Sequence, residues 1–410
     1  MAGPQVAFAD PKTQECPFSA YDELRREAPI YFDESTQVYV VTRYDDVRAI
    51  MLDPARFSSI TGLVQTRGRR EVVELYERKG WVPVPTLLNN DPPDHRFYRS
   101  IVDKSFGPAR TAALESYIQR NVTEIIDAFI GSSVEVEFVK ACALRLPLFV
   151  IMDLVGVPRE MYDSMFIWAE AGPESTNPNL SPAREIELVE ISIEFQRYIA
   201  NLAESYRRRP ADNLLSDLAN ASLEGRSLNM AEIVSLVQML MSAGYDTTTS
   251  TISSCMAGLI DKPELQEQLR GDAKRIATYG DEILRLYAPL QGLFRKATED
   301  IRMHGVTIPK GAIVNPRWGA ANRDSERFPN GNQLDISRTN LNQSVVFGAG
   351  IHTCVGRALA RTEVRITLEH LLNGLKDIRY ARGDRAGSWV PRVSFVTWGP
   401  RELYIRFDRR

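Results

Sequence analysis

With 410 residues, 44% of them hydrophobic and 25% charged, the chain has the length and composition of a globular protein with a sizeable core. A formal net charge of −3 gives no electrostatic case for nucleic acid or an anionic membrane surface. The four cysteines (Cys16, Cys142, Cys255, Cys354) are scattered without a CxxC pair, and there are only four histidines. That pattern speaks against disulfide frameworks, zinc ribbons, iron–sulfur clusters and polyhistidine sites, and favours a reducing, cytoplasmic setting. The first 18 residues hold no basic stretch followed by an apolar one, so neither signal peptide nor membrane anchor is expected.

Residues 1–20 are expected to be irregular. Between 21 and 56 a helix-like start gives way to alternation over 37–42, read as a strand, and then to a short helix over 44–52 that ends near Pro54. Residues 58–90 contain Gly62, Arg67, Gly68, Arg69 and Arg70, a charged amphipathic stretch to Lys79, then Trp81, Pro83 and Pro85. They read as a long irregular connection, and such connections are more often functional than structural. Prolines 92 and 93 open a helix on which His95 and Arg99, four apart, share a face. Spacing alone leaves two readings for that pair: a solvated polar face, or donors aimed at an anionic group.

Several helices are expected over 112–225, interrupted by a loop at 172–182 that reads as a lid. Asn229 and Glu232 form a capping box ahead of a helix of about 30 residues, or roughly 45 Å at about 1.5 Å per residue. Its only charged residue between 233 and 260 is Asp246. Serines, threonines and Gln238 interrupt its apolar run too often for a membrane span, so it should be buried in a large domain. The run Ala243-Gly244-Tyr245-Asp246-Thr247-Thr248-Thr249 puts a glycine in mid-helix beside hydroxyls able to bond back and open a kink or bulge. A buried carboxylate there costs several kcal/mol unless it is paired or useful.

Residues 281–288 read as a short helix with Glu282 and Arg285 at i, i+3, ended by Pro289. Strand-like runs follow at 301–308 and 312–314, then an aperiodic stretch over 320–342 that contains Arg338, and a last strand-like run at 393–396. The most informative stretch is Phe347-Gly348-Ala349-Gly350-Ile351-His352-Thr353-Cys354-Val355-Gly356, ahead of a helix over 357–372. Its glycines allow close backbone approach, and a cysteine at a helix start is favoured as thiolate. Such a thiolate suits a soft metal centre, haem iron being one candidate. A cysteine hydrolase using Cys354 with His352 fails, because residues two apart do not face each other on a helix.

Three motifs, taken in order, resemble those of the cytochrome P450 family of haem-thiolate monooxygenases. Phe347-x-x-Gly350-x-His352-x-Cys354-x-Gly356 resembles the cysteine-ligand loop, Ala243-Gly244-x-Asp246-Thr247-Thr248 the oxygen-activation helix, and Glu282-x-x-Arg285 the buried ion-pair motif. The resemblance covers roughly residues 20–408 and implies a mainly α fold with smaller β-sheets, as one domain over 1–410. It implies haem b with Cys354 as axial iron ligand, and Phe347, Gly348, Ala243 and Gly244 beside the cofactor. His95, Arg99, Arg295 and His352 match positions that hold the propionates. Asp246 and Thr247 match the acid–alcohol pair that supplies protons, beside a helix bulge, and Glu282, Arg285 and Arg338 match a structural ion-pair triad.

The implied activity is a monooxygenase that uses O2 and two electrons to oxidise a hydrophobic small organic molecule. The expected pocket comprises Met239, Leu240, Ala243, Leu290, Gln291, Leu293, Phe395 and Val396, with Gln291 and Ser242 able to fix polar groups. Electrons are expected from NAD(P)H through a ferredoxin reductase and an acidic ferredoxin, docking on Arg99, Arg357 and Arg361 of a monomeric protein. A peroxide-driven peroxygenase and a non-catalytic haem sensor are the alternatives.

Overall fold

The computed structural model describes residues 4–61, 69–130, 135–175 and 180–410. Gly62, Arg67 and Gly68 of the expected irregular connection, and residues 176–179 of the expected lid, lie outside them. Helices dominate, with small sheets, in the mixed class read from the sequence. Backbone contacts divide the chain into two compact units: residues 1–59, 113–146 and 247–410, and residues 60–112 and 147–246.

The larger unit carries every sheet but one two-stranded hairpin at 222–227. The alternation at 37–42 becomes strand Val38–Val41, which pairs antiparallel with Ile30–Asp33 and parallel with Ile313–Pro316. Helix Tyr44–Leu52 buries Tyr44, Val47, Ile50 and Met51 at helical spacing, and they join Val41, Val314, Trp318 and Phe328 in one core. The N-terminal segment is more ordered than its sequence suggests. Pro11–Glu15 and Phe18–Glu27 are helical, and Phe8, 1% exposed, is fixed when its N–H donates to Asp33. The expected strand at 393–396 is instead a turn, because the Ser394 hydroxyl accepts the N–H groups of Val396 and Thr397.

The helix expected at 281–288 is longer, Ala273–Tyr287. Gly280 lies within it at a point of close packing, since a Cβ there would lie 3.1 Å from a Val364 methyl. Helix Arg357–Gly374, which follows the cysteine loop, buries Leu359, Val364, Ile366, Leu368, Leu371 and Leu372.

In the smaller unit the 172–182 loop shrinks, because one helix runs on through Tyr162–Ser175 and the next begins at Pro182. Ser181 caps that second helix, Pro182–Arg208, by accepting the Arg184 N–H. The charged stretch after residue 69 is helix Arg70–Lys79, and Val72, Leu75 and Tyr76 pack on Val189 and Ile193. Gln196, fully buried, then clamps the chain by accepting the Trp81 N–H at 2.9 Å and donating to its carbonyl at 2.9 Å. Gly80 fits against it so closely that a Cβ would lie 2.5 Å from the Gln196 oxygen.

The long helix is Met230–Asp261. Its capping box forms reciprocally, the Glu232 N–H donating to Asn229 Oδ1 at 3.0 Å and the Asn229 N–H to Glu232 Oε2 at 2.8 Å. The other Glu232 oxygen accepts Tyr98 Oη at 2.7 Å and Arg226 at 2.9 Å, and Arg226 also reaches Asp94 at 2.8 Å. This network ties helix Asp94–Ser105 to the start of the long helix. Asn229→Ala should therefore cost about 1 kcal/mol of stability, read as a lower urea midpoint with an unchanged slope.

Candidate active site

Within the larger unit the cysteine loop closes on itself. The Cys354 N–H donates to the Phe347 carbonyl at 2.8 Å, and the Gly348 N–H to Val345 at 2.9 Å. Gly348 and Gly350 have φ of 75° and 67°, where a side chain would be strained, and a Cβ on Gly350 would lie 3.1 Å from the Met51 carbonyl. Cys354 is exposed and sits three residues before the helix, which begins at Arg357 as expected. His352 Nε2 lies 2.9 Å from the Ser59 hydroxyl, and Arg295, 5% exposed, donates to the Phe294 carbonyl at 2.8 Å.

Glu282 and Arg285 are both fully buried and pair twice, at 2.6 and 2.7 Å. Arg285 also donates to the carbonyls of Asn322, Gly331 and Gln333. Arg338 donates to Glu282 at 3.0 Å and to the carbonyls of Pro329 and Asn330. The aperiodic 320–342 region thus has its backbone acceptors met by two arginines in place of a ladder.

Of the residues expected to touch a substrate, the larger unit brings 290–294 against 395–397. The Gln291 N–H donates to the Val396 carbonyl at 2.7 Å, Leu290 bridges to Thr397, and the Phe294 and Phe395 rings stack 5.5 Å apart at 7°. Leu290 and Leu293 are partly buried against the adjoining core. Gln291 does not serve as expected. It is 2% exposed, its oxygen accepts Tyr21 Oη at 2.9 Å, and its amide donates to the carbonyls of Tyr287 and Ala288. Those bonds use its polar atoms to hold the segment in place.

The long helix shows where it was built to be open. Between Ile233 and Ile260 every residue is buried except Gln238, Met239, Ser242, Ala243, Gly244 and Thr247, and Ala243 is exposed outright. Met239, Ala243 and Thr247 are spaced by four, which puts them on one flank. Leu240 is 4% exposed and belongs to the core rather than to that flank. Ser242 turns toward Gly172 and borders a small cavity of about 20 Å³ with Trp168, Phe195 and Gln238. The expected bulge is absent, for the helix is α-helical without interruption. Thr251 bonds back to the Thr247 carbonyl and Ser253 to the Thr249 carbonyl, each at 2.8 Å. Asp246 is 5% exposed.

In the smaller unit, His95 is 2% exposed, and burial followed by the neighbouring Arg99 charge lowers its pKa. Arg99 makes an ion pair with Asp103 at 2.7 Å. Sequence reasoning missed Asp103, Tyr98, Arg226 and Asp281. Asp103 was within reach, being i+4 from Arg99, but Arg226 pairs with a residue 132 positions away and left no local signal.

The cytochrome P450 family model matches residues 150–376. Cytochrome P450 107B1 of Saccharopolyspora erythraea is 33% identical over 406 residues, covering 98% of this chain and 97% of that protein. The chain belongs to the cytochrome P450 family. Vitamin D(3) 25-hydroxylase of Pseudonocardia autotrophica is 32% identical over 399 residues, 94% of each chain. The structure of cytochrome P450 CREJ in complex with (4-ethylphenyl) dihydrogen phosphate matches with a TM-score of 0.89 at 30% identity, over 99% of both chains.

As a P450 this chain is a monooxygenase that uses haem iron to oxidise small molecules, and its residues fit that cofactor. Among the described residues no group of three or more His, Cys, Asp or Glu is placed to hold a metal ion. The exposed Cys354 thiol in its glycine-shaped loop suits a metal that arrives with its other ligands, as in a porphyrin. No helix among the described residues is long and apolar enough to cross a membrane.

Proposed function

We propose that Cys354 would hold the iron of haem b through its thiolate, and that this P450 hydroxylates or otherwise oxidises a hydrophobic small organic molecule. The substrate, O2, two electrons and two protons give oxidised product and water. The observation that carries this reading is the open flank of the long helix at Met239, Ala243 and Thr247, in a stretch from 233 to 260 where only Gln238, Ser242 and Gly244 are otherwise not buried. A bound haem supplies the oxygen-activating chemistry, and the chain supplies position and protons.

Met239, Ala243, Leu290, Leu293, Phe395 and Val396 present apolar surface to the substrate and exclude water, with Gln291 as their support. Phe347, Gly348, Ala243 and Gly244 border the macrocycle. His95, Arg99, Arg295 and His352 hold its propionates through charge-assisted bonds. Asp246 passes protons in through its carboxyl group, and Thr247 holds the last one at its hydroxyl. Electrons come from NAD(P)H through a ferredoxin reductase and a ferredoxin to the monomeric protein, with Arg357, exposed on the first turn of its helix, available to an acidic donor.

Asp246→Asn should slow product formation by roughly 10²-fold, the usual size of a lost proton-transfer group, with substrate binding intact. Thr247→Ala should leave NAD(P)H oxidation running while its electrons go to hydrogen peroxide instead of product. Measuring NAD(P)H, peroxide and product together checks both; unchanged coupling in the two variants would remove these residues from proton supply.

A further inference from the structure

Arg361 looks from sequence like docking charge, yet its surroundings give it another task. Its Nε donates to Asp281 Oδ1 at 2.7 Å, and its guanidinium carbon lies 4.9 Å from the centre of the Phe347 ring. Phe347 also packs against Leu284, Ala288 and Val346. Asp281 and Leu284 stand on helix Ala273–Tyr287, with Ala288 as its C-cap, and the Glu282–Arg285 pair fixes that helix. One rigid element therefore provides both the apolar seat of Phe347 and the carboxylate that holds the cation on its ring. The Phe347 carbonyl in turn accepts the Cys354 N–H at 2.8 Å, and Gly348 next to it has φ of 75°. A displaced Phe347 must carry the cysteine loop with it.

We propose that Arg361 is a positioning residue for the metal centre: through Phe347 and against Asp281 it sets the reduction potential of the thiolate-ligated iron. The inference rests on the assignment of Cys354 as iron ligand. A cation over the ring favours the iron(II) state, which carries one more electron, and the Asp281 carboxylate keeps the cation there. Both groups are partly exposed, with side-chain exposures of 44% and 28%, so solvent and salt screen their distant fields. The contact with the ring is local and persists at ionic strengths that abolish docking steering.

The test is a potentiometric titration of the haem-loaded protein with dye mediators and dithionite, without ferredoxin, for wild type, Arg361→Gln, Arg361→Lys and Asp281→Asn. Arg361→Gln should lower the reduced fraction at fixed poise by roughly two- to fivefold, the scale of an exposed cation–π contact. Asp281→Asn, which frees the cation from its place over the ring, should move it the same way by less, and Arg361→Lys should recover part of the loss. Potentials that match wild type in Arg361→Gln and Asp281→Asn overturn the proposal. If Arg361→Gln does not retain haem, Asp281→Asn decides alone, a negative shift supporting the proposal and no shift or a positive one overturning it. Spectra of the reduced protein under carbon monoxide separate the two layers. A thiolate-type band in wild type with unmoved potentials removes only the role of Arg361, whereas absence of that band removes the ligand assignment beneath it.

Discussion

Cys354→Ser should fold and lose the red-shifted absorption band that a thiolate-ligated haem gives when reduced under carbon monoxide. The loop that holds residue 354 is shaped by contacts that serine keeps: the N–H bond to Phe347, the positive-φ glycines, and the packing of Gly350 against Met51. What serine cannot keep is a soft anionic sulfur that donates electron density to iron. Monooxygenase turnover should fall beyond the roughly 10- to 100-fold that outer-shell changes cost at metal sites, since here the ligand itself is replaced. Circular dichroism close to wild type, with haem content and the reduced spectrum measured on one sample, isolates the ligand from the fold. A surviving red-shifted band in Cys354→Ser would refute the assignment.

Glu282→Ala should be the most destabilising single change in the protein, by about 3–5 kcal/mol. Glu282 is fully buried and receives Arg285 twice, Arg338 once and the Asp335 N–H. Its removal leaves the fully buried Arg285 without an anion, and a buried charge without its partner is the costly half of a broken pair. The loss should concentrate in 320–342, whose carbonyls the two arginines hold. Hydrogen exchange should therefore quicken in that region first, and thermal unfolding should report the total. Glu282→Gln, which keeps shape and acceptor but not charge, should fall between wild type and alanine. A near-wild-type melting temperature for Glu282→Ala would mean that the arginines find other partners.

The parts of this protein legible in the sequence were those whose chemistry is local. Asn229 and Glu232 announce a helix start three residues apart, and the bonds form as read. The same holds for Glu282 and Arg285, one helical turn apart and buried together. Misreadings arose where a residue's meaning depended on a distant partner. Gln291 read as a substrate contact because nothing in its neighbourhood reveals Tyr21, 270 positions away. Arg361 read as docking charge because nothing near it in the sequence reveals Asp281, 80 positions earlier, which holds it. The run at 393–396 has strand-like side chains, yet one serine hydroxyl captures the N–H groups a ladder would need.

The Gln196 clamp bears on how this protein can be varied. Residues 70–82 look like a cassette that could be exchanged between relatives to alter what the enzyme accepts. Their footing, however, is written elsewhere in the chain: Ile193 and Gln196 meet Gly80, Gln196 holds both main-chain groups of Trp81, and Glu190 holds Lys79 at 2.8 Å. A graft that brings a larger residue at 80 with it must also bring a smaller one at 196. Libraries that diversify the two stretches independently will consist mostly of mismatched halves. Recombination that keeps 79–81 and 190–196 from the same parent should give the higher yield of folded, haem-loaded progeny.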